Sequence, residues 1–488
     1  MVGNTDEAIA VKTSSDGFNS ELKHYFKKIG PRVLILFFLC CIVYGVTSYL
    51  YSTNFRPRGD EPHYLMISQT LLKYHSLDIV KNYHNKDYES FFPGDLPPHV
   101  AYNIRGQPLP LHGIGGPILW LIPFALFGKA GAIGFITVVS ILTILNIYWL
   151  LKALGIRENY AFLVSVAFAL GSPIYIYSHL TFIEPIGALL CIYVTRIIFK
   201  PERSNIELMC ASAALGILPW LHIRFAQIEA VLFFFLLYRL YQEEGLRNIK
   251  RYAYYLAPVV AIFLVLEIYS LLVWGSLNPA INEFTSHNVP FERSPVRGLI
   301  GITFDQEYGL FANFPYLLFI LPGALLALKK RFAMFNLLMV FLFVPYVLVF
   351  TSFRDWGGGM CPPGRYILIL TPLLSFYVAY ALQKANSRIL NALCTIFLLF
   401  AFAVDMAYLG AAGNGFSQGI GHNHAIRHLG NILHLSFNIT AYFPSLYLHH
   451  QRPIFLAWLA GAIALTLLTL VFAWRMQSHT SLKYASSS

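Results

Sequence analysis

The stretch "RPRGDEPHYL", residues 56–65, follows the first long apolar run and decides how the rest of the chain is interpreted. It sets Asp60 and Glu61 side by side, with Arg58 nearby, at the point where a hydrophobic helix ends. A loop needs no such cluster for solubility. Acidic residues and a proline such as Pro62 are both favoured in the first turn of a helix, so helix capping is one explanation. Chemistry at a membrane surface is the other.

The composition of the chain predicts a membrane protein. Over 488 residues it is 57% hydrophobic and 16% aromatic but only 12% charged, whereas a soluble domain has about 25% charged residues. Long apolar runs recur from Val33 to Ala473, so hydrophobicity is not confined to one anchor. The prediction is an all-α polytopic membrane protein.

The net charge of +11 does not predict a nucleic-acid partner. The basic residues do not form one stripe but fall in short clusters between apolar runs, for example "KKR" at 329–331. This distribution is typical of cytoplasmic loops between membrane spans. Membrane lipids are therefore the expected surroundings of the chain.

The apolar runs predict about twelve transmembrane helices. Residues 1–31 and 476–488 are interpreted as cytoplasmic tails, and residues 32–475 as one transmembrane domain. The predicted spans are 33–51, 130–153, 161–178, 185–200, 206–222, 226–241, 252–274, 313–328, 333–351, 365–382, 389–409 and 453–474.

The first outer loop, residues 52–129, is the longest polar connection and the predicted catalytic loop. Residues 71–92 form an amphipathic stretch suited to the membrane surface. The run at 115–128 is too short to span comfortably and contains two prolines, so it is predicted to be a re-entrant or interfacial helix. With this interpretation, the later loops that contain clusters of basic residues all lie on the same side of the membrane.

A second acid and several arginines are predicted on the same outer side. Glu184 stands before Pro185 at the start of a predicted helix, where capping would again explain an acid. The outer arginines are Arg224, Arg293, Arg297, Arg354 and Arg365.

The order of several short patches resembles the GT-C glycosyltransferases, membrane enzymes that use a polyprenyl-phosphate sugar as donor; protein O-mannosyltransferases and the lipid A aminoarabinose transferase are members. The patches are "GDEPHY" in the first outer loop, "RGQPLPLHGIGGPILWLIPFALFG" at 105–128, "YSHLTFIEP" at 177–185, "GLIGITFDQEYGLFANFP" at 298–315 and "WGGGMCPPGRYILILTP" at 356–372. The resemblance covers the whole chain as a topology, but only these patches as motifs.

The resemblance implies an inverting transferase. It would move a single sugar from a polyprenyl (undecaprenyl) phosphate donor to a glycan or lipid-linked acceptor, such as O-antigen, lipopolysaccharide or wall polysaccharide. The expected location is the bacterial inner membrane, with the active site facing the periplasm. A transporter or flippase of lipid-linked sugars remains the alternative, and it would require acids at mid-membrane depth, where Glu267 and Asp405 are the main candidates.

The expected chemistry assigns roles to the outer residues. A sugar hydroxyl needs a base, and Asp60 is the first choice, with Glu61 and Glu184 as further catalytic acids. A phosphate leaving group needs positive charge, which arginine supplies through paired contacts. The donor-phosphate candidates are Arg365, Arg224 and Arg58. For Arg365, which precedes a span expected to begin at Tyr366, an interfacial anchor is the alternative. Substrate-contact candidates are His63, Tyr64, His179, His222, Trp356 and Tyr366.

No cofactor is required by this chemistry, and no metal ligand is predicted. A divalent ion is compatible with the reaction, but no ligand pattern points to one. The histidines of "HNHAIRH" at 422–428 match no tetrahedral site, and five of the six cysteines lie in apolar runs.

Overall fold

The computed structural model describes residues 30–279, 293–410, 416–417 and 419–485. Most of the predicted N-terminal tail, residues 1–29, lies outside these residues, as does the end of the predicted C-terminal tail. The last helix continues to Ala485 and therefore extends well beyond residue 474, where the final span was predicted to end.

Helices are the main secondary structure of the described residues. In chain order the α-helices are α1 (Pro31–Asn54), α2 (Glu61–Tyr74), α3 (Val80–His84), α4 (Gly115–Leu119), α5 (Leu121–Ala153), α6 (Glu158–Leu170), α7 (Pro173–Tyr177), α8 (Glu184–Phe199), α9 (Asn205–Leu221), α10 (Ala226–Glu244), α11 (Ile249–Tyr269), α12 (Pro295–Phe304), α13 (Leu310–Asn313), α14 (Ile320–Leu326), α15 (Ala333–Thr351), α16 (Thr371–Ala385), α17 (Arg388–Gly410), α18 (His424–Ile432) and α19 (Arg452–Ala485).

Six helices in the described part of the chain are long and apolar enough to cross a membrane. They are Pro31–Asn54, Leu121–Ala153, Ile249–Trp274, Lys330–Thr351, Arg388–Gly410 and Arg452–Ser478. Many of their large apolar side chains are exposed on the protein surface, as lipid contact would require.

Three predicted spans are interrupted, and proline is the common reason. The run 161–178 divides where α6 ends and α7 starts at Pro173. The run 313–328 begins at the last residue of α13 and continues as a 3₁₀ turn at Pro315–Phe319 and then α14. The run 365–382 becomes helical only at Thr371, one residue before Pro372. A proline lacks the amide donor that a continuing helix needs and is tolerated in a first turn.

The break between the short helix 115–128 and the following span occurs at Gly128. Its backbone has φ 57° and ψ −141°, which is non-helical and interrupts α5 near its start. Glycine adopts such a positive φ at low cost because it has no Cβ atom. The break therefore falls where the sequence places the end of the short helix.

The connections between helices collect at two opposite ends of the bundle. At one end, Arg157 bonds Gln383 through its backbone N–H and its side chain, and Arg203 pairs with Glu243. These residues belong to the connections 155–160, 201–205, 242–251 and 383–388, which the basic clusters predict to be cytoplasmic. The other end contains the loop before α2 and the start of α8.

A small antiparallel hairpin lies within the first outer loop. Strand β1 (Val100–Tyr102) pairs with β2 (Pro108–Pro110), with Val100 opposite Pro110. The pairing continues one residue further, because Leu111 N–H donates to the carbonyl of His99 at 3.3 Å. The hairpin thus brings residues 99 and 112 to the same end of the ribbon.

Candidate active site

Asp60 stands immediately before α2, but its side chain does not cap the helix. No capping hydrogen bond is made by this residue. Instead, its Oδ2 atom accepts a hydrogen bond from the Nη2 atom of Arg365. The Asp60 side chain remains 22% exposed, whereas that of Arg365 is only 8% exposed. Capping therefore does not account for the carboxylate of Asp60.

Glu184 is the first residue of α8, and its carboxylate is fully buried. One oxygen, Oε1, accepts a hydrogen bond from Arg224 at 2.5 Å and another from Nε of Arg365 at 3.0 Å. The other oxygen, Oε2, has no hydrogen-bond partner among the described residues. The side chain again serves an ion pair rather than the end of its helix.

Arg365 joins the two acids into one cluster. Its guanidinium bonds Asp60 and Glu184, donates to the carbonyl of Gly358 at 2.8 Å, and lies 4.6 Å from the ring centre of Phe182. The residue belongs to an irregular turn before α16, so the prediction of a helix beginning at Tyr366 was wrong. An interfacial anchor would reach towards the headgroups, whereas this side chain is buried.

Arg224 completes the cluster from a 3₁₀ turn between α9 and α10. Its guanidinium pairs with Glu184 and lies 4.7 Å from the ring centre of Tyr366. Two of the three predicted phosphate ligands, Arg224 and Arg365, are therefore already bonded to carboxylates. A phosphate entering this site would have to share or displace those ion pairs.

Glu61 lies behind Asp60 and is fully buried. Its carboxylate accepts hydrogen bonds from the Tyr51 hydroxyl at 2.6 Å, the Arg58 backbone N–H at 2.9 Å and the Thr181 backbone N–H at 2.8 Å. These donors come from α1, the turn before α2 and the turn before α8. Burial raises the pKa of Glu61 above its usual value. The residue ties together the two turns that contain Asp60 and Glu184.

Close backbone packing brings the Asp60 turn to the 358–366 segment. Gly59 has φ +56°, and a Cβ atom at this position would lie 2.3 Å from the carbonyl oxygen of Met360. Any larger residue would push the two segments apart. Gly59 therefore permits the Asp60–Arg365 contact.

Electrostatics keep Asp60 ionised. Burial by itself would raise the pKa of Asp60, but the adjacent Arg365 guanidinium outweighs burial and holds the pKa of the carboxyl well below its usual value. A carboxylate paired in this way is a weak base until the arginine pairs with another anion. The geometry therefore couples proton acceptance by Asp60 to the position of Arg365.

Three histidine rings pack beside Asp60, two of which the sequence analysis missed. His63 of α2 stacks on His99 with ring centres 3.7 Å apart, and His99 Nδ1 lies 3.0 Å from His112 Nε2. Burial lowers the pKa of His63 to about 2 and that of His112 to about 4, and it also lowers the pKa of His99. The rings are therefore neutral at ordinary pH. In the sequence, His99 directly follows two prolines, and His112 directly follows "PLPL" at 108–111. This placement was the only sign in the sequence that the two histidines meet.

Three of the other substrate-contact candidates are packed in the protein interior. Tyr64 is buried against Trp120 and His112, and His179 packs on Tyr51. Trp356 stacks on Tyr447 in an aromatic group that also includes Tyr308, and it is 4% exposed. These three rings have little surface left for a sugar.

Two candidates border small cavities. His222 lines a cavity of about 50 Å³ together with His112 and Trp220. Arg58 lines another, of about 20 Å³, together with His179. Either cavity would have to widen to admit a sugar ring.

No protein-family model and no curated protein sequence matches this chain. Among solved structures it is similar to ArnT from Cupriavidus metallidurans bound to undecaprenyl phosphate, with a TM-score of 0.51, 13% identity, and coverage of 90% of this chain and 76% of that one. The same protein in its apo state gives a TM-score of 0.47 at 15% identity, covering 94% and 77%.

A third similar structure is the archaeal oligosaccharyltransferase AglB from Archaeoglobus fulgidus, in complex with an inhibitory peptide and a dolichol-phosphate. The TM-score is 0.43 at 13% identity, covering 87% of this chain and 61% of that one. Only the likeness to ArnT bound to undecaprenyl phosphate is close enough to identify a fold. It shows that the chain has an ArnT-like fold, and the long apolar helices among the described residues identify a multi-pass membrane protein.

Proposed function

We propose that the protein is an inverting GT-C glycosyltransferase that moves one sugar from a polyprenyl phosphate to a glycan or lipid-linked acceptor. The observation that carries the proposal is the cluster in which Arg365 bonds both Asp60 and Glu184. These residues come from three distant segments and meet at one end of the bundle, opposite the basic loops. The ArnT-like fold supports the same assignment.

In this proposal Asp60 accepts the proton of the acceptor hydroxyl. It is the most exposed carboxylate of the cluster, since Glu61 and Glu184 are fully buried. As the sugar leaves its phosphate, negative charge grows on the phosphate oxygens and attracts Arg365 and Arg224. Weakening the Arg365–Asp60 bond would raise the basicity of Asp60 at the moment a proton has to be accepted.

The remaining details of the proposal follow from the sequence. About twelve spans, counting the interrupted helices, would leave both termini inside and the cluster on the outer face. In a bacterial inner membrane that face is the periplasm, where an O-antigen, lipopolysaccharide or wall polysaccharide acceptor would be available. Arg58, which borders a small cavity near His179, is a third candidate for contact with the donor phosphate.

The test is transfer of labelled sugar by purified protein from undecaprenyl-phosphate donors to lipid-linked glycan acceptors. Asp60→Asn is expected to lower the rate by about 10²–10⁴-fold, because the amide keeps the shape but cannot accept the proton. The matched control is Asp95→Asn, since the Asp95 side chain is 95% exposed and pairs with the exposed Lys86. Transfer by Asp60→Asn within tenfold of wild type would remove Asp60 from the role of base.

A lipid-linked sugar transporter or flippase is the second candidate, and one observation favours it. Asp405 in α17 is 1% exposed, and neither carboxylate oxygen has a hydrogen-bond partner among the described residues. Acids buried in a membrane span often belong to transport pathways. Movement of a labelled lipid-linked sugar across proteoliposomes that is lost in Asp405→Asn, without sugar transfer, would favour this function.

A further inference from the structure

The hairpin of the first outer loop brings together a set of side chains that can bind a metal ion. Asp60, His99 and His112 each offer one ligand atom, and these atoms lie within 4.8 Å of one another. Asp60 comes from the turn before α2, and the two histidines flank β1 and β2. We propose that Asp60, His99 and His112 form a binding site for one Zn²⁺ ion.

The spacing of the nitrogen atoms fits the proposal. His99 Nδ1 and His112 Nε2 are 3.0 Å apart and aim at each other. In a tetrahedral zinc site, with Zn–N of about 2.0–2.1 Å, two ligand nitrogens lie about 3.3 Å apart. Separating the two nitrogens by a few tenths of an ångström, and rotating both rings so that the nitrogens turn from each other towards one point, would admit the ion. The ring that now donates this hydrogen bond would bind the ion as its other tautomer, with the proton on its second nitrogen.

The carboxylate has an oxygen available for the ion. Arg365 bonds Oδ2 of Asp60, whereas Oδ1 accepts no hydrogen bond from the residues that the structure describes. All three ligand residues are only partly buried, so an ion can enter from the outer side. Two imidazoles and one carboxylate suit Zn²⁺ better than the hard cations Mg²⁺ and Ca²⁺, which prefer oxygen ligands alone.

The surrounding residues hold His99 in place. The backbone N–H of His99 donates to the Tyr83 hydroxyl at 2.8 Å, and the same hydroxyl lies 2.9 Å from His63 Nδ1. The stacked His63 ring further limits rotation of the His99 ring. Partners that orient a ligand are typical of metal sites and raise affinity.

Three protein ligands leave a fourth position open. Structural zinc sites usually have four protein ligands, whereas sites with three keep one position for water or substrate. The open position would border Asp60, beside arginines that are already paired with carboxylates. A role of the ion in transfer would rest on the proposed function, but its binding would not.

Zinc binding is measured on the full-length protein in detergent, stripped with a chelator and then equilibrated with Zn²⁺ alone. We expect one Zn²⁺ per chain and a Zn²⁺-dependent rise in Tm. His99→Gln and His112→Gln should weaken binding at least about tenfold and abolish the rise in Tm. The matched control is His84→Gln, because His84 is an exposed histidine of the same loop and should leave both results unchanged.

Two further measurements keep the test independent of variant folding. Melting in metal-free buffer checks that each variant is folded, and Co²⁺ bound to the wild type should give the strong visible absorption of four-coordinate cobalt. Anomalous scattering from Zn²⁺-soaked crystals of the wild type should locate the ion between His99 and His112. Stoichiometric zinc in both glutamine variants, an ion located elsewhere, or no zinc in the wild type would overturn the proposal.

The zinc proposal and the transfer proposal fail separately. Zinc binding is measured without donor or acceptor, and transfer is measured in the Asp60→Asn and Asp95→Asn pair. Transfer that survives chelation would leave zinc binding intact as a finding and exclude only a role in the reaction. Zinc binding without any transfer would leave the metal site standing and remove the proposed function.

Discussion

Arg365 donates a hydrogen bond to the carboxylate of Asp60 although 305 residues separate them in the chain. The same guanidinium bonds Glu184, so three segments that are far apart in the sequence meet at the buried charge of Arg365. A charge at this depth is stable only when it is paired and hydrogen-bonded. The candidate site therefore depends on Arg365 for its assembly as well as for its charge.

Arg365→Lys should lower sugar transfer at least about tenfold, equivalent to about 1.4 kcal/mol of transition-state stabilisation. Lysine keeps the charge but lacks the planar fork that bonds Asp60, Glu184 and the Gly358 carbonyl together. The measurement is the transfer rate at saturating donor. Arg297→Lys is the control, because Arg297 is exposed. Equal rates for wild type and Arg365→Lys would contradict the assigned role.

Glu61→Gln should act on stability more than on chemistry. Glutamine offers one acceptor oxygen in place of two, so its amide nitrogen would face either the Thr181 N–H or both the Tyr51 hydroxyl and the Arg58 N–H, which share one oxygen of Glu61. An unsatisfied buried polar group costs about 1–3 kcal/mol. The check is a lower Tm with transfer per folded molecule within tenfold of wild type, whereas exposed Glu89→Gln should change neither. If Glu61→Gln lost more transfer than Asp60→Asn, the base would be Glu61.

Gly59→Ala should separate the Asp60 turn from the segment that contains Arg365. The added Cβ atom would meet the Met360 carbonyl oxygen at 2.3 Å. Gly106→Ala is a matched control, because Gly106 also has a positive φ, +73°, but has no atom within 4 Å of a Cβ. Both changes have the backbone cost of about 1 kcal/mol. Only Gly59→Ala should also reduce transfer; equal transfer rates in both variants would refute the steric argument.

Acid should destabilise the protein through its histidine cluster. The pKa of His63 is about 2 and that of His112 about 4 in the folded protein, against 6.5 for an ordinary histidine. Because folding lowers these pKa values, their contribution to stability is present above pH 6.5 and is lost as the pH falls from 6.5 towards 4. For each pH unit that the pH falls within that window, every buried histidine that stays neutral should lower the free energy of unfolding by about 1.4 kcal/mol.

The pH effect is measured as Tm in metal-free buffer between pH 7.5 and 4.5. His63→Gln should flatten the fall of Tm below pH 6.5, since glutamine does not titrate. His84→Gln should leave the fall unchanged, because His84 is exposed. The same slope in wild type and His63→Gln would mean that His63 is protonated in the folded protein.

The sequence by itself determined the class of protein and the local setting of the acids. Long apolar runs predict membrane helices because a backbone in lipid has to satisfy its own hydrogen bonds. Pro62 and Pro185 predict helix starts, and α2 and α8 begin at Glu61 and Glu184. The clusters of basic residues predict which loops share one side of the membrane.

Only the tertiary structure decided which charges meet. The residues next to an acid in the sequence predict whether a helix starts there. Ion pairing between residues as distant as Asp60 and Arg365 depends on how the helices pack. The same limit explains why His99 and His112 were missed, because they are brought together by the pairing of two strands of three residues each. It also explains the interrupted spans, since a helix start at Thr371 and not Tyr366 leaves Arg365 in a turn whose irregular backbone directs it inward. Periodicity in the sequence indicates which helix faces are apolar. The position of each charged side chain depends on packing between segments that are far apart in the sequence.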